Sequence, residues 1–280
     1  MIRGIYTASA GMLCETIRQD IIANNHANVD TSGFKTDMAV FKELPTMDIK
    51  RVNESNVYPP NPFRKSPTIG QLGTGSVLDE VYTNFAPGKM QHTGNSLDVA
   101  IDNKNAFFVV ESANGDLKYS RDGILTLDAD GFLTNMSGDY VMALSDGTNP
   151  ADGGLIVNAE GERALELQRI QVAGDKVEID TQGRVVVDGE GQFVLAAGVA
   201  ADRKAFRKEG ANKFTRAYGE VALSDTGFRP GYVEKPNVSV IEQMVKMIEV
   251  SRAYEANSKS VQAHDSLIDK AVNTVGASRR

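Results

Sequence analysis

Tryptophan is absent from this 280-residue chain, and cysteine occurs once, at Cys14. A single thiol excludes an intrachain disulfide and every motif built on a pair of thiolates. Cys14 falls inside a helical pattern, where a lone thiol serves as a small buried apolar residue. Histidine is scarce as well. His26, His92 and His264 lie in separate segments, without the spacing of metal ligands. Positive charge does not dominate, since 30 Lys and Arg face 37 Asp and Glu for a net charge of -7. An acidic chain is a poor partner for nucleic acid or an anionic bilayer. No apolar run approaches the length of a membrane span, so no membrane insertion is expected. Thr7, Ser9, Glu15, Arg18 and Asp20 interrupt the N-terminal apolar residues, so no cleavable signal peptide is expected either.

Catalytic patterns are equally thin. The stretch GQLGTG (Gly70–Gly75) lacks the Lys-Ser/Thr of a phosphate-binding loop and the spacing of a dinucleotide turn. DADG (Asp128–Gly131) runs into Phe132 and Leu133 instead of continuing as a calcium loop, and it suits a hairpin tip. No nucleophile elbow occurs. A carboxylate pair for glycoside hydrolysis stays open, because it needs only proximity in space. The reading is therefore a non-enzyme with no catalytic residue, cofactor or metal.

What is present sits mostly at the two ends. Ile2, Tyr6, Ala10, Leu13, Ile17 and Ile21 recur at gaps of three or four, the period of one helix face. Gly4 and Gly11 each weaken that helix by about 1 kcal/mol relative to Ala. The helix runs into Asn24, Asn25 and Asn28, whose amides tolerate left-handed backbone and bond neighbouring backbone groups. DTSGF follows as the turn, with Gly33 supplying the positive φ. Near the C-terminus, SVIE (Ser239–Glu242) fits a capping box, and neither Gly nor Pro interrupts residues 237–275 before Gly276. About 35 residues there span roughly 50 Å of helix. Its stripe is Val240, Met244, Met247, Ser251, Tyr254, Ser258, Val261, Asp265, Ile268, Val272 and Val275, spaced as a coiled-coil seam with a polar centre.

The middle reads differently. Val40–Gly70 holds five of the nine prolines and no clear period, as an extended or looped segment would. From about Gly75 to Val233 short strands alternate with turns. LDVAI and AFFVV flank a DNKN turn. ILTLDADGFLT turns at Asp130-Gly131, and VEIDTQGRVVVD turns between Asp180 and Gly183. The expected fold class is α+β: terminal helices pairing as a coiled-coil-like arm, with a β-rich domain inserted between them. The expected domains are 1–36 (N-terminal helix and turn), 37–74 (extended, Pro-rich), 75–236 (β-rich) and 237–280 (C-terminal helix). Packing of both helices on their own β-domain is the alternative, since their stripes would suit it equally.

A thin two-helix arm is marginal alone. Burying one apolar side chain gains about 1.5–3 kcal/mol, and ordering each residue costs about 1–2 kcal/mol of backbone entropy. Neighbouring arms stacked side by side would tip that balance. Polar seam positions then act as register devices.

IYTASAGM and ANNHANVDTSGFK at one end, with NVSVIEQMVKMIEVSRAYEANSKSVQAHD at the other, resemble the two ends of the bacterial flagellar rod and hook protein family. GTG, LDVAI, FFVV and YSRDGILTLDADGFL resemble the β-domain of its rod members. His26 and Ala106 depart from the family pattern, where Leu and Gly are usual. The resemblance covers about residues 1–36 and 70–275. It implies a structural subunit of the basal-body rod, placed across the periplasm or cell wall. It implies assembly with copies of itself and other rod or hook axial proteins into a tube that transmits torque and passes export substrates. It also implies delivery, without cleavage, by the flagellar export apparatus. Such an interface is heterologous, since head-to-tail contacts generate open filaments.

The candidate interface residues are Ile2, Tyr6, Leu13, Ile17 and Ile21 on the first helix, and Met244, Met247, Tyr254, Val261 and Ile268 on the second. Asn24, Asn25, Asn28, Arg252, Glu255 and Asn257 are candidates for polar contacts. Phe34 is expected to anchor the chain back on the arm. The alternative function is a periplasmic protein that binds or hydrolyses cell-wall polymer.

Overall fold

The structure is a computed structural model that describes residues 3–50, 68–145, 154–157, 161–174 and 177–275. Two helices bound it. The first, α1, spans Arg3–Ala27 and the second, α2, spans Val240–Lys270, continuing into a π-helical stretch at Ala271–Val275. The α1 helix ends at the asparagine cluster, and Gly33 takes φ +69° in the turn that follows. The α2 helix starts one residue after Ser239. Ile2, Gly276 and the prolines from Pro59 to Pro67 lie outside the described residues.

The chain divides into two compact units: Met1–Asn24, Asp37–Tyr82 and Ile241–Arg280 in one, Asn25–Thr36 and Thr83–Val240 in the other. The first unit contains most of α1 and α2 and two antiparallel ribbons. The strand Asp37–Glu43 pairs with Ser76–Thr83, and Met47–Lys50 pairs with Thr68–Leu72 in the register Met47↔Leu72, Ile49↔Gly70. The segment read as extended or looped thus includes two strands flanking Pro45. Asp37–Glu43 shows the two-residue alternation of a half-covered strand. The alternation is too short, and too close to the prolines, to stand out in the sequence.

In the second unit, among the described residues, fourteen strands form one antiparallel network. Its spine runs through Ala197–Ala200, Ala106–Glu111, Tyr140–Leu144 and Glu190–Leu195. Ala106–Glu111 is buried along its whole length. Successive side chains of a strand point to opposite faces. Phe108 and Val110 accordingly join one core with Val99, Leu133, Val141 and Ile170. Phe107 and Val109 join another with Phe85, Tyr119, Phe206 and Phe214. Two cores on one strand explain why AFFVV is an unbroken apolar run.

The two expected hairpins form. Leu125–Leu127 pairs with Leu133–Asn135 across Gly131 at φ +77°, and Val177–Ile179 pairs with Arg184–Val187 across Gly183 at φ +74°. The DNKN turn joins strands that are not each other's partners. Val99–Ile101 pairs instead with Phe228–Pro230, and this long-range pairing leaves no local signal.

Phe107 makes edge contacts with Phe85, Phe206 and Phe214 at centroid distances of 5.9, 4.9 and 5.5 Å. Phe107→Ala should cost about 3–5 kcal/mol by removing that cluster's centre. Chemical denaturation of the full chain, followed by a probe of sheet content, measures it.

Candidate assembly interface

Within the first unit, one face of α1 meets the start of the strand Ser76–Thr83. The Cys14 thiol donates to the Ser76 carbonyl at 3.3 Å, and a Cβ on Gly75 would lie 2.9 Å from the Ala10 methyl. Cys14 is buried, as a small apolar filler would be. A second face of α1 meets α2 through its glycines. A Cβ on Gly4 would strike the His264 imidazole, and one on Gly11 would lie 2.9 Å from Asn257 Nδ2. The steps from Gly4 to Gly11 and from His264 to Asn257 are seven residues each, in opposite chain directions. The two helices therefore run antiparallel, with long α2 side chains seated over bare α1 backbone. The glycines that weaken α1 as an isolated helix are the places where α2 side chains fit.

The remaining faces carry apolar side chains in water. Tyr6 and Leu13 are 68% and 60% exposed. Each follows a contact glycine by two positions, about 200° around the helix, and so points away from α2. Ile241, Met244, Val245 and Ile248 are between 50% and 75% exposed. Ile241 and Ile248 precede the buried Gln243 and Val250 by two positions. Gln243 and Val250 continue the heptad row of Asn257 and His264.

The candidate residues fall into several environments. Ile2 lies outside the described residues. Tyr6, Leu13, Met244, Tyr254, Arg252, Glu255 and Asn24 are exposed, whereas Ile17, Ile21, Met247, Val261 and Ile268 are half-buried. Asn257 is half-buried and occupied with Gly11. Asn25 is buried in the second unit, and Asn28 accepts from the Thr31 hydroxyl at 3.1 Å. Phe34 is buried in the second unit, with the Lys208 ammonium 3.7 Å from its ring centroid. Ile241, Val245 and Ile248 lie beside the row chosen from the sequence, because the apolar face over the first turns of α2 is about 160° wide and more than one stripe fits it.

In the second unit, TSGFK forms a buried clasp. Gly33 N–H donates to the Glu234 carbonyl at 2.9 Å, and Thr36 N–H donates to Asn237 Oδ1 at 2.8 Å. A Cβ on Gly33 would lie 2.6 Å from Asp122 N and 2.7 Å from Arg121 O. Glu234 Oε1 accepts from Lys35 Nζ at 2.7 Å and from Gly88 N–H at 2.8 Å. Glu234 Oε2 stands 3.1 Å from Arg121 Nε as an ion pair, without the alignment of a hydrogen bond. Arg121 also donates to the Asn103 carbonyl at 2.9 Å. Lys35, Arg121 and Glu234 are each 2% exposed or less. Two buried cations thus share one carboxylate. Burial pulls the Lys35 ammonium below its ordinary range, with Glu234 opposing the shift. The sequence signalled this clasp only through Phe34, because Lys35 and Glu234 lie 199 residues apart.

Comparison with known proteins follows the same map. A model described as "Flagella basal body rod protein" matches residues 5–35. "Flagellar hook protein FlgE/F/G D1 domain" matches residues 100–187, and "Flagellar basal body rod FlgEFG protein C-terminal" matches residues 229–274. The chain is similar to the flagellar basal-body rod protein FlgG of Borreliella burgdorferi, with 30% identity over 98% of both chains. It is similar to FlgG of Buchnera aphidicola subsp. Acyrthosiphon pisum, with 32% identity over 96% of this chain and 98% of that one. It is also similar to the flagellar hook-basal body complex protein FlhO of Bacillus subtilis, with 26% identity over 99% of each.

Three outcomes follow from the clasp. Glu234→Gln should cost about 3–5 kcal/mol, because it strands two buried cations. Lys35→Met leaves one cation per carboxylate and should stay within about 1.5 kcal/mol of the native chain. Equilibrium unfolding of the two variants compares them. Gly33→Ala should cost on the order of 1–3 kcal/mol through strain at positive φ against Arg121 backbone, read as a lowered unfolding midpoint.

The pH dependence has a definite sign. The folded chain holds Lys35 with a pKa lowered from 10.5, so near that value the unfolded chain binds more protons. Stability therefore rises with pH in the alkaline window below 10.5. Unfolding titrations across that window should show the native chain gaining on Lys35→Met. A pH-independent difference would remove the burial penalty from the account.

Proposed function

We propose, because this chain belongs to the flagellar basal-body rod protein family, that its ends build the axis of the rod while its β-unit remains a separately folded body. The chain is a structural subunit of the basal-body rod. The observation that carries the reading is coincidence at both termini. The segments matched by the family at each end include the helices that expose apolar rows. An isolated structural domain has no use for Tyr6, Leu13, Ile241 and Ile248 in water, and contiguous exposed apolar rows mark contact surfaces.

In this reading α1 and α2 pair as a coiled-coil-like arm, supported by the heptad spacing of their two glycine contacts. The four segments 1–36, 37–74, 75–236 and 237–280 then serve as helix and turn, connector, β-body and second helix. Copies of the chain and other axial proteins of the rod and hook pack arm against arm, head to tail, through the candidate residues of α1 and α2. The resulting tube transmits torque and leaves a passage for export substrates. Delivery is by the flagellar export apparatus. Among the described residues no helix is long and apolar enough to cross a membrane. Membership of a structural family supports a non-enzymatic role. The family matches give no support to the cell-wall alternative.

Deleting the gene should abolish motility and leave basal bodies without a complete rod, and the native chain should restore both. Washed hook–basal bodies from the restored strain should contain the chain. Normal rods in the deletion strain would refute the assignment.

A further inference from the structure

The exposed apolar rows of the first unit carry a register, and the inference drawn from it rests on the rod-subunit reading. Tyr6 and Leu13 are seven residues apart on the face of α1 turned from α2. Ile241 and Ile248 are seven residues apart on the face of α2 turned from α1, with Met244 and Val245 between them. Each row therefore spans about 10.5 Å. They cannot meet within one chain. Gly4 sits level with His264, which places Tyr6 level with residue 262, far along α2 from Ile248.

We infer that the α1 row of one copy docks on the α2 row of a second copy, with Tyr6 opposite Ile248 and Leu13 opposite Ile241. Both rows are apolar, and their lengths match. Their charges are complementary: Arg3 is the one charged residue among residues 3–13, whereas residues 241–249 carry Glu242, Glu249 and Lys246, with Lys246 ion-paired to Glu242 at 2.6 Å. The α1 and α2 helices of one chain are antiparallel, so two copies of the same polarity also present α1 and α2 to each other antiparallel. Moving the partner of Tyr6 from level 262 to level 248 shifts the copies by 14 residues, two heptads, or about 21 Å along the helix axis. A contact between two different patches with an axial shift does not close on itself, and it repeats as an open filament.

Single-cysteine full-length chains in a Cys14→Ala background test this register. The substituted positions are exposed, so folding is retained. A Tyr6→Cys copy mixed with an Ile248→Cys copy of distinguishable size should give a mixed disulfide dimer under mild oxidation. Its yield should be at least about tenfold above either self-dimer, because a disulfide needs Cα atoms within about 7 Å. Leu13→Cys with Ile241→Cys should behave alike. The crossed pair Tyr6→Cys with Ile241→Cys should give little product, and a copy carrying both Tyr6→Cys and Ile248→Cys should form a ladder of oligomers. Dominant self-dimers, equal yields from the crossed pair, or no mixed product would overturn the register. Rod assembly and motility in the deletion strain are scored separately, so loss of the register and loss of the rod assignment are distinguishable.

Discussion

The rest of the molecule depends on a division of labour around each terminal helix. Small residues of α1 receive α2 side chains, and this leaves the bulkier apolar rows facing outward. Gly4 and Gly11 bring His264 and Asn257 close, at the expense of helix propensity and of buried apolar area. A chain that needed its helices only for itself would place Leu or Ile in that contact. Here Tyr6, Leu13, Ile241 and Ile248 are in water, and each could gain about 1.5–3 kcal/mol by burial against a neighbour. In the proposed assembly, packing against a neighbouring subunit would recover this energy.

The second unit follows the opposite rule. Its central strand is covered on both faces, and its aromatic cluster is closed without help from another chain. The TSGFK clasp ties the segment after α1 to the strand Tyr232–Glu234, and Glu234 alone serves both Lys35 and Arg121. A single carboxylate between two buried cations makes the clasp sensitive to loss of that one charge, while loss of one cation is tolerated. Residues far apart in the chain meet there, so the clasp closes only after the whole β-body is synthesised.

Much of this was legible in the sequence, for physical reasons that differ from place to place. The helices showed as unbroken periodic stretches, and the hairpins at Gly131 and Gly183 showed because two glycines must adopt positive φ. The α+β class and the family followed from these features and from the terminal motifs. The pairing of Val99–Ile101 with Phe228–Pro230 was not legible, because non-local pairing leaves no trace in a local pattern. Phe34 read as an anchor, and its burial beside Lys208, far along the chain, was not legible because no local pattern records that contact. On α2, a row chosen by apolar content alone was ambiguous, since Val240, Ile241, Met244, Val245, Met247 and Ile248 form one face about 160° wide that holds more than one stripe. The polar row through Gln243, Asn257 and His264, with Val250, emerged only from its contacts.

Amide hydrogen exchange on the free and the assembled chain tests the central claim most directly. The account predicts rapid exchange throughout α1 and α2 in the dilute monomer, slow exchange in the strands around Phe107 and Phe108, and strong protection of both helices once filaments form. Helices as protected as the strands in the dilute monomer, and unchanged on assembly, would contradict it.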